Sequence, residues 1–454
     1  MAVIFAQHAY LDRGWARNVR LTLSNQSIDK IEINTVRLPN DVAVQTLLPA
    51  LANLHSHSFQ RAMAGMTEFR AAGRDSFWTW RDLMYRFLEK LTPGHIQDIA
   101  ALVFMEMQEA GYASVGEFHY VHHQPDGKPY DDLSELSKRI FAAAKQTGIG
   151  LTHLPVLYSY GGAGKQPLSG GQLRFGNNVE RFNRLAEEAQ RALVGLPADA
   201  RVGVAPHSLR ATSPEDLAQV IAAHKDCPVH IHISEQPKEV EDIKGWLGAR
   251  PVEWLLKNVP VDDRWCLIHA THMTETETSN MAKSGAVAGL CPITESNLGD
   301  GSFNGATYLN AGGAFGLGSD SNVRISLTEE LRTLEYSQRL RDLARNVLVV
   351  GEGSVGETLY LGAARGGAQA LGRNAGVIAE GRLADLLAID SDAPALCALS
   401  DSQMFDGLTF AASDAVVTDL WSAGRHMVQN GRHTDRDVII SRYRKAISTL
   451  LAST

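Results

Sequence analysis

Thr46-Leu-Leu-Pro-Ala-Leu-Ala-Asn-Leu-His55-Ser-His57-Ser-Phe-Gln60 is an apolar run that ends in two histidines. Successive side chains of a strand point to opposite faces, so residues two apart share one face. A strand over 47–57 therefore brings the imidazoles of His55 and His57 to one point at its C-terminal end, which is how a metal site begins. A His-x-His pair is common by chance in a chain with 16 histidines. Its meaning depends on what the other strands bring to the same end.

Working outward, seven more segments have the length and apolar content of buried strands: 112–119, 148–157, 202–207, 229–234, 265–269, 286–291 and 314–320. Helical periodicity separates them, most clearly over 95–110, 133–147, 178–193, 213–224 and 326–342. Eight strands alternating with helices predict an α/β fold, a parallel (β/α)₈ TIM barrel, over 49–371. The connection at 59–92 is long and carries Arg61, Arg70, Arg74, Trp78, Trp80 and Arg81. A long connection at a barrel mouth is expected to be a functional lid. Residues 1–48 alternate apolar and polar positions as short antiparallel strands do, and strand-like segments return over 372–435. The two ends are expected to pair in one small discontinuous β-sandwich domain, with a helix in 436–454 closing the chain.

Bulk properties narrow the function. The chain has 454 residues, a size that accommodates a barrel with a small accessory domain. A net charge of −8 with both signs interspersed argues against nucleic-acid or anionic-membrane partners. No stretch reaches the roughly 18 apolar residues of a membrane span, and the N-terminus lacks the pattern of a signal peptide. Cys227, Cys266, Cys291 and Cys397 are widely spaced, as expected for reduced thiols in a cytoplasmic protein.

Barrel chemistry sits at the C-terminal ends of the strands. His55 and His57 end the first strand, His207 and Arg210 follow the fourth, and His232 and Glu235 end the fifth. His269 ends the sixth and Asp320 the eighth. His55, His57, His232 and Asp320 suit one zinc ion per chain with a water in the open position. Zinc lowers the pKa of such a water to about 7. Asp320 is expected to be ligand and general base together, His269 to stabilise the attacking hydroxide or the tetrahedral intermediate, and Glu235 to carry a proton to a leaving nitrogen. His119, His122, His123, His153 and His272 are read as structural or supporting groups.

The pattern His55-x-His57, His232-x-x-Glu235, His269 and Ser319-Asp320 resembles the amidohydrolase superfamily, in its mononuclear deaminase branch. The likeness extends to Gly-Arg-Leu-Ala-Asp-Leu at 381–386, typical of the flanking β domain. Binuclear members carry a bridging lysine on the fourth strand. Here that strand reads Arg201-Val-Gly-Val-Ala-Pro-His207, without lysine. Within the branch, the segment from Leu54 to Gly65, Phe77-Trp-Thr-Trp-Arg81, Glu117-Phe-His-Tyr120-Val-His-His and Ala205-Pro-His-Ser-Leu-Arg210 resemble the formimidoylglutamate deiminases of histidine degradation. The resemblance implies hydrolysis of N-formimidoyl-L-glutamate to N-formyl-L-glutamate and ammonia, by a homodimer. A dicarboxylate substrate needs planar cationic donors, and Arg81 and Arg210 are the candidates. Gln60, Tyr120 and His207 could add hydrogen bonds. The rival within the branch is a deaminase of guanine or a related heterocycle, whose pocket would need stacking aromatics and amide donors.

Overall fold

The computed structural model describes residues 2–69 and 77–452. Arg70, Arg74 and the side chain of Trp78 lie outside the described residues.

The apolar run at the first histidines is two strands. β1 (Ala2–Leu11), β2 (Gly14–Ser24), β3 (Ser27–Glu32) and β4 (Val42–Pro49) belong to one sheet, and β5 (Leu51–Ser56) to another. Both sheets bury the same kind of side chain, so the run is continuous in hydropathy although the chain changes sheet at Ala50. There the Ala50 N–H donates to Asp385 O at 3.1 Å.

β5 starts a barrel continued by β6 (Tyr112–His119), β7 (Gly150–Leu157), β8 (Arg201–Val202), β9 (Ala205–Pro206), β10 (Val229–Ile233), β11 (Trp265–His269), β12 (Val287–Leu290) and β13 (Ala314–Leu317). The fourth stave, expected as one strand over 202–207, is split into β8 and β9. Gly203 lies at the split, where a Cβ would stand 2.7 Å from both Leu154 Cδ2 and Pro228 O. The ring closes through parallel bridges Val204–Val229 and Ser208–His232 on one side and Leu317–Asn53 on the other. The barrel strands are buried on both faces, as parallel sheets covered by helices are.

The second sheet is completed by β14 (Leu386–Ile389), β15 (Val417–Ser422), β16 (Arg425–Gln429) and β17 (Arg432–His433), in the order β17-β16-β15-β14-β4-β1-β2-β3. Its pairings are antiparallel as the alternation suggests, except β1 with β4, which is parallel. Ile4, Val19, Leu21, Leu47, Leu386 and Trp421 form its core. The terminal helix, Arg436–Ala452, packs on the helix Pro93–Ala110.

The described part of the 59–92 connection contains helical turns. It holds a 3₁₀ turn, Ser58–Met63, and a helix, α1 (Phe77–Leu88). Trp80, Met84, Phe87 and Leu88 follow helical spacing.

Beneath the barrel, fully buried Arg373 joins the two sheets. It donates to Asp385 Oδ1 and Oδ2 at 3.0 Å and to Asp199 Oδ2 at 3.1 Å, while Arg425 holds Asp199 from the other side at 2.8 Å. Removing one member strands the others without water. Arg373→Met is expected to cost about 3–5 kcal/mol of unfolding free energy by denaturant titration.

Candidate active site

The site is built by strand ends that cannot shift independently. The His57 N–H donates to Asp320 O (2.9 Å) and the Asp320 N–H to His55 O (3.0 Å), so the first and eighth staves are bonded through the backbones of three functional residues. Gly318 allows the approach, since a Cβ there would lie 2.7 Å from His55 Cβ. Asn53 donates to Ser319 Oγ at 2.7 Å, and Ser319 to Asn322 Oδ1 at 2.6 Å, bracing the turn behind Asp320. Ser234 (φ 53°), His269 (φ 67°), Ala270 (φ 48°) and Asp320 (φ 46°) are in the left-handed region. Each such residue costs about 1–3 kcal/mol, and such strain gathers where side chains are aimed for function.

His55, His57, His232 and Asp320 are buried with one ligand atom each within 4.8 Å of the others. His57 Nδ1 is 3.0 Å from Phe118 O, and His232 Nδ1 is 3.1 Å from His207 O. Carbonyls only accept, so both Nδ1 atoms carry the hydrogen and both Nε2 atoms present lone pairs. His57 Nε2 faces Asp320 Oδ1 at 3.2 Å, and His232 Nε2 is 3.1 Å from His55 Nε2, while His55 Nδ1 has no hydrogen-bond partner. Burial pushes His55 down to about 3 and lowers His57 and His232 as well, so all three rings are neutral at neutral pH. Burial opposes charge on Asp320, but His55, His57 and His269 hold its carboxyl well below the usual range. Three neutral imidazoles and a carboxylate converging within 4.8 Å fit a divalent cation.

Beside this cluster lie groups suited to proton transfer. Glu235 Oε1 is 3.8 Å from His269 Nε2, which is also 3.8 Å from Asp320 Oδ2. Burial raises the Glu235 carboxyl to about 7, despite the opposing charges of His269 and Arg210. Burial disfavours a charged His269, yet Glu235, Glu295 and Asp320 raise it to about 10. His269 is thus an imidazolium and Glu235 an acid that can give or take a proton near neutrality. Glu295 was not apparent from sequence. Its Oε1 lies 3.2 Å from His269 Nδ1 and accepts from the Cys291 N–H at 2.9 Å. His269, Cys291 and Glu295 thus form a bonded group that orients the imidazolium.

All the proposed substrate contacts face one cavity over the cluster: Gln60, Arg81, Tyr120, His207 and Arg210. Gln60 Nε2 donates to Tyr120 Oη at 2.6 Å, leaving its buried Oε1 without a hydrogen-bond partner. Arg81 lies over the Tyr85 ring at 5.6 Å. Arg210 is engaged by Glu235 Oε2 (3.6 Å) and Glu239 Oε2 (3.7 Å). Trp80, Met84, Tyr85, Tyr158, Phe175, Leu298 and Ser321 complete the lining. Tyr158 directly follows the end of β7, so the strand-end rule points to it, and Met84 and Tyr85 sit three and four residues after Arg81 on α1. Leu298 has no such signal. The histidines read as supporting groups bond elsewhere: His122 to Val156 O (3.0 Å), His153 to Ser137 Oγ (3.0 Å), His123 to Gly176 O (2.9 Å) and His272 to Asp300 O (2.8 Å).

Residues 46–427 match the family model of the amidohydrolase family, and the chain belongs to that family. Residues 1–41 match the model for the N-terminal domain of formimidoylglutamate deiminase HutF. The formimidoylglutamate deiminase of Pseudomonas aeruginosa is 49% identical over 445 residues, covering 96% of this chain and 97% of its own. A 5-methylthioadenosine/S-adenosylhomocysteine deaminase of Natronomonas pharaonis is 27% identical, covering 77% of this chain and 74% of its own. Among solved structures, an amidohydrolase from Brucella melitensis is similar at 48% identity, with a TM-score of 0.95 over 99% of this chain and 100% of that one.

Replacing one member of the cluster tests its capacity for an ion. His232→Ala is expected to drop bound divalent metal from about one per chain to well below that. Elemental analysis of purified wild type and variant checks this; equal metal in both would remove His232 from the ligand set.

Proposed function

We propose that this chain hydrolyses N-formimidoyl-L-glutamate to N-formyl-L-glutamate and ammonia, in histidine degradation. The carrying observation is that Arg81 and Arg210 face the same cavity as the His55, His57, His232 and Asp320 cluster, which pairs a dicarboxylate subsite with a hydrolytic one. The 49% identity to a deiminase of that name supports it. We assign His55, His57, His232 and Asp320 to one zinc ion per chain, on the borderline character of an imidazole and carboxylate set. When bound, such an ion makes a water acidic and polarises the carbon–nitrogen double bond.

The chain's own residues then manage protons. Asp320, a carboxylate beside the imidazolium, accepts a proton from water. His269, already charged, offers a hydrogen bond and positive charge to the developing oxyanion. Water oxygen bonds to the formimino carbon, and both water protons end on the imino nitrogen, the last through Glu235. The bond from carbon to that nitrogen breaks, leaving the formamide and ammonia. Arg81 and Arg210 bind the carboxylates, and Gln60, Tyr120 and His207 add polar contacts. A cytoplasmic homodimer is part of the reading; four free cysteines accord with a reducing compartment.

The aromatic lining of Tyr85, Tyr120, Tyr158 and Phe175 favours one second reading, deamination of guanine or a related heterocycle. A substrate panel separates the two: ammonia is expected from formimidoylglutamate and none from guanine or adenosine, and the reverse would overturn the proposal. Glu235→Gln is expected to lower kcat by roughly 10²–10⁴-fold with metal content retained. Undiminished ammonia release in that variant would remove Glu235 from proton transfer.

A further inference from the structure

The turn Gly170–Arg174, in the connection after β7, carries a cation that the proposed chemistry does not use. Arg174 is completely buried, and among the described residues no carboxylate pairs with it. Most of its contacts are instead to main-chain carbonyls, with the Tyr130 hydroxyl beside it and Nη2 without a hydrogen-bond partner. Nε donates to His123 O at 2.8 Å, and Nη1 donates to Leu91 O at 3.0 Å and also to Leu88 O. Its own carbonyl accepts from the N–H groups of His122 (2.9 Å) and His123 (3.0 Å). A buried guanidinium without an anion is costly to keep, and here backbone carbonyls, with Tyr130, supply its compensation.

The carbonyls it holds have a particular place. Leu88 is the last residue of α1, where a helix leaves carbonyls without partners and its dipole is negative. α1 is the element that carries Trp80, Arg81, Met84 and Tyr85 to the cavity. The same turn touches the wall twice more. Gln172 Nε2 donates to Tyr158 Oη at 3.3 Å. At Gly171 an added Cβ would stand 2.8 Å from Tyr85 Cδ1.

We propose that Arg174 is a positioning residue that sets α1 against the cavity through the carbonyls of Leu88 and Leu91. The fit of the substrate carboxylates then depends on a side chain outside the cavity lining. Lysine keeps the charge but cannot span carbonyls on both sides with a rigid fork. The inference rests on the dicarboxylate reading above.

The test compares wild type, Arg174→Lys and Gly171→Ala, measuring ammonia release from N-formimidoyl-L-glutamate, competitive inhibition by glutarate and bound metal. In Arg174→Lys, KM and the glutarate Ki are expected to rise roughly tenfold or more, with kcat changed by less than about threefold and metal unchanged. Gly171→Ala displaces Tyr85 from the same turn with the guanidinium intact, and is expected to shift the same two constants. Unchanged KM and Ki in a folded Arg174→Lys would overturn the proposal, as would parallel loss of kcat and metal. Should Arg174→Lys not fold, Arg174→Gln, a smaller planar donor without the charge, decides by the same criteria. A wild type that binds glutarate but releases no ammonia removes the functional reading, and the glutarate constants of the variants still decide the role of Arg174.

Discussion

Three imidazoles and one carboxylate brought to a single buried point are the constraint on which this structure depends. His57 and His232 spend their only ring hydrogens on the carbonyls of Phe118 and His207. Asp320 is too acidic to contribute a proton. A set of neutral imidazoles with a carboxylate suits a divalent cation. The backbone does not let the cluster relax, because the ligands sit on barrel strands bonded to each other on both sides.

Around this electron-rich point the charges alternate in sign. Asp320 is followed by the His269 imidazolium, with Glu235 and Glu295 on its two sides and Arg210 beyond Glu235. Each charge is tolerable in a buried place because its neighbour is opposite. Burial raises the Glu235 carboxyl to about 7, and the charges of His269 and Arg210 oppose that rise. Arg210 thus serves two neighbours, a proton carrier and the cavity, and a carboxylate arriving at Arg210 changes the surroundings of both.

The parts of the fold that were legible in the sequence are those with a local period. Strand-end histidines at 55, 57, 232 and 269 follow from alternation, and 112–119 and 265–269 coincide with β6 and β11. What was not legible lacks a local rule. The change of sheet at Ala50 is invisible because both sheets demand apolar residues. The break at Gly203 comes from Leu154 and Pro228, which are distant in sequence. α1 was obscured because Trp and Arg residues there invite a functional rather than a periodic reading. Glu295 and Arg174 matter through single hydrogen bonds made across the fold, and Arg174 bonds to carbonyls, which every residue possesses. Among cavity residues, Gln60, Arg81, Tyr120, His207 and Arg210 were found, while Met84, Tyr85, Tyr158, Phe175 and Leu298 were not.

The seam between the first and eighth staves has a consequence for how the molecule assembles. Asn53 meets Ser319 and Ser56 meets Asn322 across 266 positions of chain. Contacts of such separation form late, since a long loop must be closed before they give anything back. The ligand set is divided across that seam, with His55 and His57 on one side and Asp320 on the other. An ion that binds only the completed set adds its binding free energy to the closing step itself. An ion held by that set would thus be a clasp for the ring as well as a reagent.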